Sequence, residues 1–495
     1  MIVFAAVSSL LAVGRHRDFR THRNDLGNMV QVVDNTAHGR FLEMTGSDGH
    51  QISRLGAHVD PILALFALPW LVWPSPVMLL VLQAVIVATG AWPAYRLGTR
   101  VTRDPRAGAF LAGAYLLYPA VGFLVLNEFH PVALATPLLL WAFLYIEEGR
   151  WLWALPFIVL AAVCKETVPL VIGAMGVYFA IRKRSWRPLI LTAAAAAYFA
   201  VAVWVIIPHF NGDQSAFIAR YGDYGQGAGE VVKTAVTHPG QTVADIAALG
   251  NLDYWLKLLW PLGFASLFSP LTVLIAAPEL LLNALSATTF QRRIEFHYTA
   301  LEIPFLFAAA VLGVMRLWRW LGGGFRRVEK AMAGQRVRRE TLALLVLLAA
   351  LAGNYVMGPL PFSLPGAGYD GKDYARTAHT AALDEAVSMI PTGAKVSANN
   401  NAGAQLAARR VVYVFPYFAG ADWVLVDEKH PFFYDKENEQ MHQLALGKLV
   451  LDSRFVSVYA KDGVYVFKRV APNPGALQGG DAPQAAPTPG VSPTP

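Results

Sequence analysis

The sequence predicts a mainly α-helical polytopic membrane protein that ends in a small soluble α/β domain, and three observations predict it. Over 495 residues, 55% are apolar and only 15% charged, where an average soluble chain carries roughly a quarter charged residues. The apolar residues gather into runs such as 188–208 and 342–357, and a membrane span takes about 20 mostly apolar residues. Beyond residue 357 the pattern changes to short alternating segments of soluble type.

Taken in order, the candidate spans are 1–13, 76–95, 107–126, 132–146, 151–164, 167–181 and 188–207, followed by 254–268, 271–287, 299–314 and 342–357. That is about eleven, the shorter ones implying tilted neighbours or a locally thin bilayer. The segment 1–13 lacks a basic region before it and a small-residue cleavage site, so it reads as an anchor and not a removed signal. The segment 58–73 carries Asp60, Pro61 and Pro69 and reads as re-entrant or interfacial. The competing solution makes it the first span in place of 1–13, which the basic residues Arg15, Arg17, Arg20 and Arg23 favour.

Basic residues cluster at Arg96, Arg100, Arg103 and Arg106, at Arg182, Lys183, Arg184 and Arg187, and between Arg316 and Arg339. Cytoplasmic loops carry such excesses, so the loops at 14–75, 127–131, 165–166 and 208–253 and the C-terminal part are expected outside. This requires 254–287 to form a hairpin turning at Ser269 and Pro270. The domains expected are thus a membrane part, 1–357, and an extracytoplasmic α/β domain, 358–470. In the latter, 374–390 reads as a helix and 395–398, 411–415, 423–427, 455–459 and 464–467 as strands. The Pro, Gly and Ala-rich tail 471–495 reads as disordered.

Net charge is +7, but the basic residues sit between apolar runs and read as topology signals, so no nucleic-acid partner is expected. Cys164 is the only cysteine, which excludes an intrachain disulfide and a thiolate metal cage. There is no Walker-type glycine loop, zinc-protease His pair or Gly-x-Ser-x-Gly elbow.

Six groups of ionisable residues fall near span ends, where charge is costly and functional roles concentrate. Each also has a plainer explanation. Asp25, in Asn24-Asp25-Leu26-Gly27 with Gln31, would cap a helix starting at Leu26. His58 and Asp60 would form a capped turn before Pro61. Glu128 and His130 would lie on a solvated connection, and Lys165 and Glu166 would form a local ion pair. Phe217, Arg220, Tyr221 and Asp223 would belong to a solvated loop. Glu279, Arg292, Arg293, Glu295, His297 and Tyr298 would snorkel at an interface. What singles the six out is the outer face they share.

The order Asp25-Leu26-Gly27 with Gln31, His58-x-Asp60-Pro61, Gln83, Phe129-His130-Pro131, Lys165-Glu166 and His297-Tyr298 before a span with Pro304 resembles a bacterial family of predicted membrane proteins of unknown function. That family is itself similar to the GT-C class of multi-spanning glycosyltransferases. The stretch from Ser397-Ala398-Asn399-Asn400 through Arg409-Arg410 to Phe415-Pro416 resembles its C-terminal domain. The resemblance implies a sugar donor linked to a polyprenyl phosphate and an envelope acceptor, with Asp25 acting as general base or orienting the acceptor. Cations for the leaving phosphate are assigned on chemistry to Arg220, Lys165 and His297. Glu128 and His130 would shape the acceptor site, with Gln31, His58, Asp60, Glu166 and Tyr221 completing the binding set. Leu26 stands where a second acid often follows the first in that class, which counts against a metal-binding acid pair in that loop; no metal ligand is assigned, and a divalent metal is kept as an alternative. The alternatives are a transporter or flippase of a lipid-linked or polar solute, and a non-catalytic envelope membrane protein. Transporters place such charges near the midplane, often within two-fold repeats; here they lie at span ends and no repeat is evident.

Overall fold

A computed structural model of the protein describes residues 1–212, 216–325, 339–429 and 439–471. Most of the third basic cluster and nearly all of the proposed disordered tail lie outside the described residues.

Among the described residues, four helices are long and apolar enough to cross a membrane: Pro76–Thr102, Leu189–Asn211, Ile303–Leu321 and Arg339–Met357. The pair Pro105–Leu117 and Pro119–Leu126, bent by 46°, makes a fifth if it is counted as one broken span. The bend has a local cause, since Tyr118 is extended and the residue before a proline is pushed out of the helical region. Pro131–Glu147 and Trp151–Ala162 are shorter apolar helices. The sequence estimate of about eleven spans, by contrast, counts every apolar run long enough to approach the span length.

Two of those runs are broken. In 254–268 the helix Leu249–Leu259 gives way at Pro261, Gly263 and the left-handed Phe264. In 271–287 only the short helices Pro270–Val273 and Ala277–Leu285 form. Pro261, Pro270 and Pro278 stand in the first turn of the short pieces that follow the breaks, where a proline can start a helix but cannot carry on the one before it.

The segment after Asp60 forms a 3-10 stretch Pro61–Phe66 and a helix Ala67–Val72, six residues each. Together they cover about 21 Å of a roughly 30 Å hydrocarbon core, too little to cross it. Leu65, Leu68, Leu71 and Val72 are exposed while Trp70 is buried. Its indole donates to Asp34 at 3.0 Å, so the segment lies along the protein with an apolar outer face. Helix Leu189–Asn211 likewise leaves Ile190, Val201, Trp204 and Val205 exposed, as lipid-facing surface requires.

The C-terminal domain has a five-stranded sheet. With β1 (Glu43–Thr45) and β2 (Gln51–Ser53) forming a separate hairpin, its strands are β3 (Val396–Ala398), β4 (Val412–Val414), β5 (Trp423–Asp427), β6 (Phe455–Lys461) and β7 (Val464–Arg469). Their order is β4-β3-β5-β7-β6, parallel at β4-β3-β5 and antiparallel beyond. Helix Ala378–Ser388 covers one face through Ala382, Leu383 and Ala386. Helix Glu439–Leu451, which the sequence pattern did not suggest, covers the other through Ala445 and Leu449.

This domain docks on the loop that carries Asp25. The buried Arg23 guanidinium donates to Thr45 O at 2.5 Å, Val412 O at 3.0 Å and Asn28 Oδ1 at 2.6 Å. Asn24 N donates to Asn400 Oδ1 at 2.9 Å. A Cβ on Gly403 would lie 2.8 Å from Arg23 Cβ, so the glycine permits the close approach. Gln31 serves the same junction: its amide donates to Thr45 Oγ1 at 2.8 Å and Arg410 O at 2.7 Å and accepts from Thr45 N at 2.9 Å.

Candidate functional site

The residues from Arg23 to Gly27 form a single π-helical turn before helix Asn28–Ala37. Such turns recur at functional sites because they displace a side chain from regular helical register. Asp25 caps nothing: the N-terminus of the following helix has no side-chain cap. Its carboxylate instead lies 3.5 Å from His130 Nε2 and keeps 47% of its surface exposed.

The loop holding His130 is buried, not solvated. Glu128, Phe129 and His130 are all under 9% exposed, and Glu128 stands at φ 55°. A left-handed backbone at a non-glycine residue costs about 1–3 kcal/mol and persists where the surroundings enforce it. The surroundings here are explicit. Gln83, from within the first long helix, donates to Glu128 O and accepts from His130 N at 2.8 Å. The Glu128 carboxylate reaches across to the Asp25 turn, accepting from His22 N and Leu26 N at 3.0 Å each and meeting His22 Nδ1 at 2.5 Å. Glu128 is therefore the clamp that holds the Asp25 loop in place.

From Asp25 a row of rings runs inward. His130 stacks on His297 with centroids 3.6 Å apart and 18° between planes, and His297 adjoins Tyr298 at 4.3 Å. Asn127 Oδ1 accepts from His297 N at 3.0 Å and lies 3.1 Å from its Nδ1, which places the proton of a neutral ring on Nδ1. Over Tyr298 lie two cations, Lys165 Nζ at 5.9 Å and Arg220 Cζ at 5.8 Å from the ring centre. Within the same loop as Arg220, the Tyr221 hydroxyl accepts from Gln291 at 3.4 Å.

The remaining sequence-predicted residues brace this row. Glu166 meets His58 Nδ1 at 2.9 Å and accepts from Val59 N at 3.1 Å, so its partner is His58 and not the adjacent Lys165. Ile62 N donates to Val163 O at 3.1 Å, fastening the interfacial segment to the Lys165 turn. Asp60 forms a buried bidentate pair with Arg54 at 2.8 to 3.2 Å and does not cap the stretch that follows it. Gln31, in the domain junction, does not join the row.

Electrostatics sort the roles. Burial works against ionisation of Asp25, but hydrogen bonding and charge from His130, with His22 and Arg54, outweigh it and hold the carboxyl below the usual range. Burial likewise opposes the charge on Glu166, yet His58 and Lys165 push it down to about 2. Burial, then His130, Lys165 and Arg220, push the His297 imidazole well below its ordinary value. His297 is thus neutral, a hydrogen-bonding ring and not the cation expected from its position in the sequence.

His22 moves the other way. Burial favours the neutral ring, but the charge and hydrogen bond of Glu128 raise its pKa above 6.5. The stabilisation from a raised histidine is fully present below pH 6.5 and is lost as pH rises through the folded value. Thermal denaturation in detergent should therefore show stability falling as pH rises above about 6.5, and His22→Gln should flatten that dependence. An unchanged slope in the variant would assign it elsewhere.

His22, Asp25 and Glu128 each offer an atom within 4.8 Å of the others, a set that could hold a metal ion. Both Glu128 oxygens already accept from the Asp25 turn, so the clamp stands without one.

His22, Asn127 and Tyr298 complete the site yet were not assigned roles from sequence. Tyr298 carried a weak signal as the aromatic beside His297; His22 and Asn127 become meaningful only through contacts with distant loops.

The sequence has no significant match among curated proteins. Solved structures that share the fold include two of one protein. ArnT from Cupriavidus metallidurans bound to undecaprenyl phosphate aligns with a TM-score of 0.54 at 12% identity, over 95% of this chain and 98% of that one. Its apo form aligns at 0.50 and 11% identity, over 94% and 97%. A model of predicted membrane proteins, DUF2079, matches residues 15–466, nearly the whole described chain, and the protein therefore belongs to that family.

Proposed function

We propose that the protein is a GT-C-type glycosyltransferase that moves a sugar from a polyprenyl-phosphate donor to an envelope acceptor at the outer membrane face. The observation that carries this reading is the row from Asp25 through His130, His297 and Tyr298 to Lys165 and Arg220. It sets a carboxylate at one end and two cations at the other. The similarity in fold to ArnT, whose structure holds undecaprenyl phosphate, supports a donor of the same chemical type.

In this reading Asp25, ionised at neutral pH, takes the proton of the acceptor hydroxyl as its oxygen attacks the anomeric carbon. The bond from that carbon to the phosphate oxygen breaks, the sugar inverts, and Lys165 and Arg220 stabilise the charge on the departing polyprenyl phosphate. Helices Pro131–Glu147 and Val168–Lys183 both begin at the site, so the positive ends of their dipoles add to this field.

The same helices support the orientation. At their far ends Arg182 pairs with Glu147 at 3.0 Å and Arg96 with Glu148 at 2.8 Å, next to the basic clusters that favour the cytoplasm. The site, about 25 Å away along a 17-residue helix, then opens at the opposite, outer face.

The phosphate role has a direct test. Binding of undecaprenyl phosphate to the purified protein should weaken about tenfold in each of Lys165→Met and Arg220→Met, the loss of roughly one charge-assisted contact. Unaltered affinity in both variants would place the phosphate elsewhere.

A further inference from the structure

Charge also gathers at the far end of the helices that frame the row, where helix Pro131–Glu147 ends and helix Trp151–Ala162 begins. Five cations touch residues 145–148, a stretch with two carboxylates, Glu147 and Glu148. Arg96 donates to both oxygens of Glu148 at 2.8 and 2.9 Å, and Arg182 to Glu147 at 3.0 Å. Lys183 and Arg100 bond the last carbonyls of the helix instead, Ile146 O at 2.6 Å and Glu147 O at 3.4 Å, as cations at a helix C-terminus do. Ion pairing and helix capping account for these four.

The fifth, Arg150, is held differently. Its guanidinium lies over the rings of Tyr145 and Trp153, 5.8 and 5.5 Å from their centres. Stacking of this kind fixes the plane of a guanidinium without using its N–H donors. Its Nη1 is 3.6 Å from Glu148 Oε2, beyond hydrogen-bond reach, and that carboxylate is already taken by Arg96. Arg150 is thus oriented by two rings, its side chain 49% exposed, with donors to spare for an anion.

The surface beside Arg150 is apolar. On the helix it precedes, Leu152, Leu155 and Val159 are exposed, at the spacing of one helix face. Trp151 and Trp153 are exposed at the start of the same helix, and tryptophans collect where hydrocarbon meets the headgroups. A cation oriented at headgroup level therefore stands over an apolar stripe.

We propose that this corner binds an anionic phospholipid, its phosphodiester on Arg150 and an acyl chain along Leu152, Leu155 and Val159. Three more cations than carboxylates select a negative headgroup, with Arg182 and Lys183 adding to the attraction. The stripe selects a lipid over a soluble anion. In the orientation given above the lipid belongs to the cytoplasmic leaflet, where anionic lipids attract basic residues beside membrane helices. The inference stands apart from the donor reading, since the site is at the opposite end of the helices from Lys165 and Arg220.

Native mass spectrometry of the purified full-length protein tests it by comparing dioleoyl phosphatidylglycerol with dioleoyl phosphatidylcholine. The first should bind about tenfold more tightly, and Arg150→Gln should weaken it about fivefold, the contribution of one basic residue near a charged membrane surface. Phosphatidylcholine binding should not change in that variant, which also shows that the fold survives. Arg410→Gln removes an exposed arginine from the end domain and should alter neither lipid. Equal affinity for the two lipids, a preference that survives Arg150→Gln, or one that falls as far in Arg410→Gln would overturn the proposal. Displacement of phosphatidylglycerol by inorganic phosphate would mark a site for a soluble anion and overturn it as well.

Discussion

Asp25→Asn should lower sugar transfer from a polyprenyl-phosphate donor by about 10²- to 10⁴-fold, the range that a positioned general base contributes. The substitution keeps the shape of the side chain and removes its capacity to take a proton. The peptide groups of the loop remain fixed, since Glu128 accepts from His22 N and Leu26 N and Asn400 from Asn24 N. Protein level and undecaprenyl phosphate affinity should therefore stay near wild type, the phosphate contacts lying at the other end of the row. Transfer assayed in membrane vesicles measures the effect, and fully retained transfer would remove Asp25 from catalysis.

The largest effect on stability is expected at Arg54. Asp60 is 2% exposed and Arg54 6%, and the guanidinium engages both carboxylate oxygens. Arg54→Met strands that carboxylate in the interior, at a cost of about 3–5 kcal/mol. The double variant Arg54→Met with Asp60→Leu removes both charges and should recover much of the loss, because a buried ion pair and a well-packed apolar pair are often close in stability. Denaturation of the purified variants checks this. Equal loss in the single and double variants would show that packing, not the stranded charge, dominates.

The sequence displayed the membrane class and the α/β end domain clearly, because both rest on local pattern. Apolar runs mark the long helices. The strands at 395–398, 411–415, 423–427, 455–459 and 464–467 correspond to β3 to β7 within two residues at each end. The Asp462-Gly463 turn, at φ 51° and 79°, follows from turn chemistry that sequence spells out. The broken segments between residues 249 and 287 were less legible, since mean hydropathy is blind to where Pro261 and Pro270 interrupt the helix. Helix Glu439–Leu451 lacked a clear apolar stripe because only His442, Ala445 and Leu449 on it are buried.

Within the site, residue types were legible and pairings were not. Glu128 and His130 stood out as charged groups beside spans, but the clamp to His22, 106 residues away, is a tertiary fact. Asp60 and Gln31 illustrate the opposite case. Both sit among the notable polar residues of the sequence, yet the structure engages Asp60 with Arg54 and Gln31 with the end domain. Glu279 drew attention only as one of several interfacial groups; its burial within helix Ala277–Leu285 is a tertiary fact that no sequence pattern reveals.

The central claim is that a polyprenyl phosphate binds at the cationic end of one row that ends in Asp25. A cryo-EM structure of the protein with undecaprenyl phosphate tests it most directly. The account predicts the phosphate in contact with Lys165 and Arg220 beside Tyr298, with its polyprenyl chain leaving toward the lipid. A phosphate bound away from both cations, with the row untouched, would contradict it.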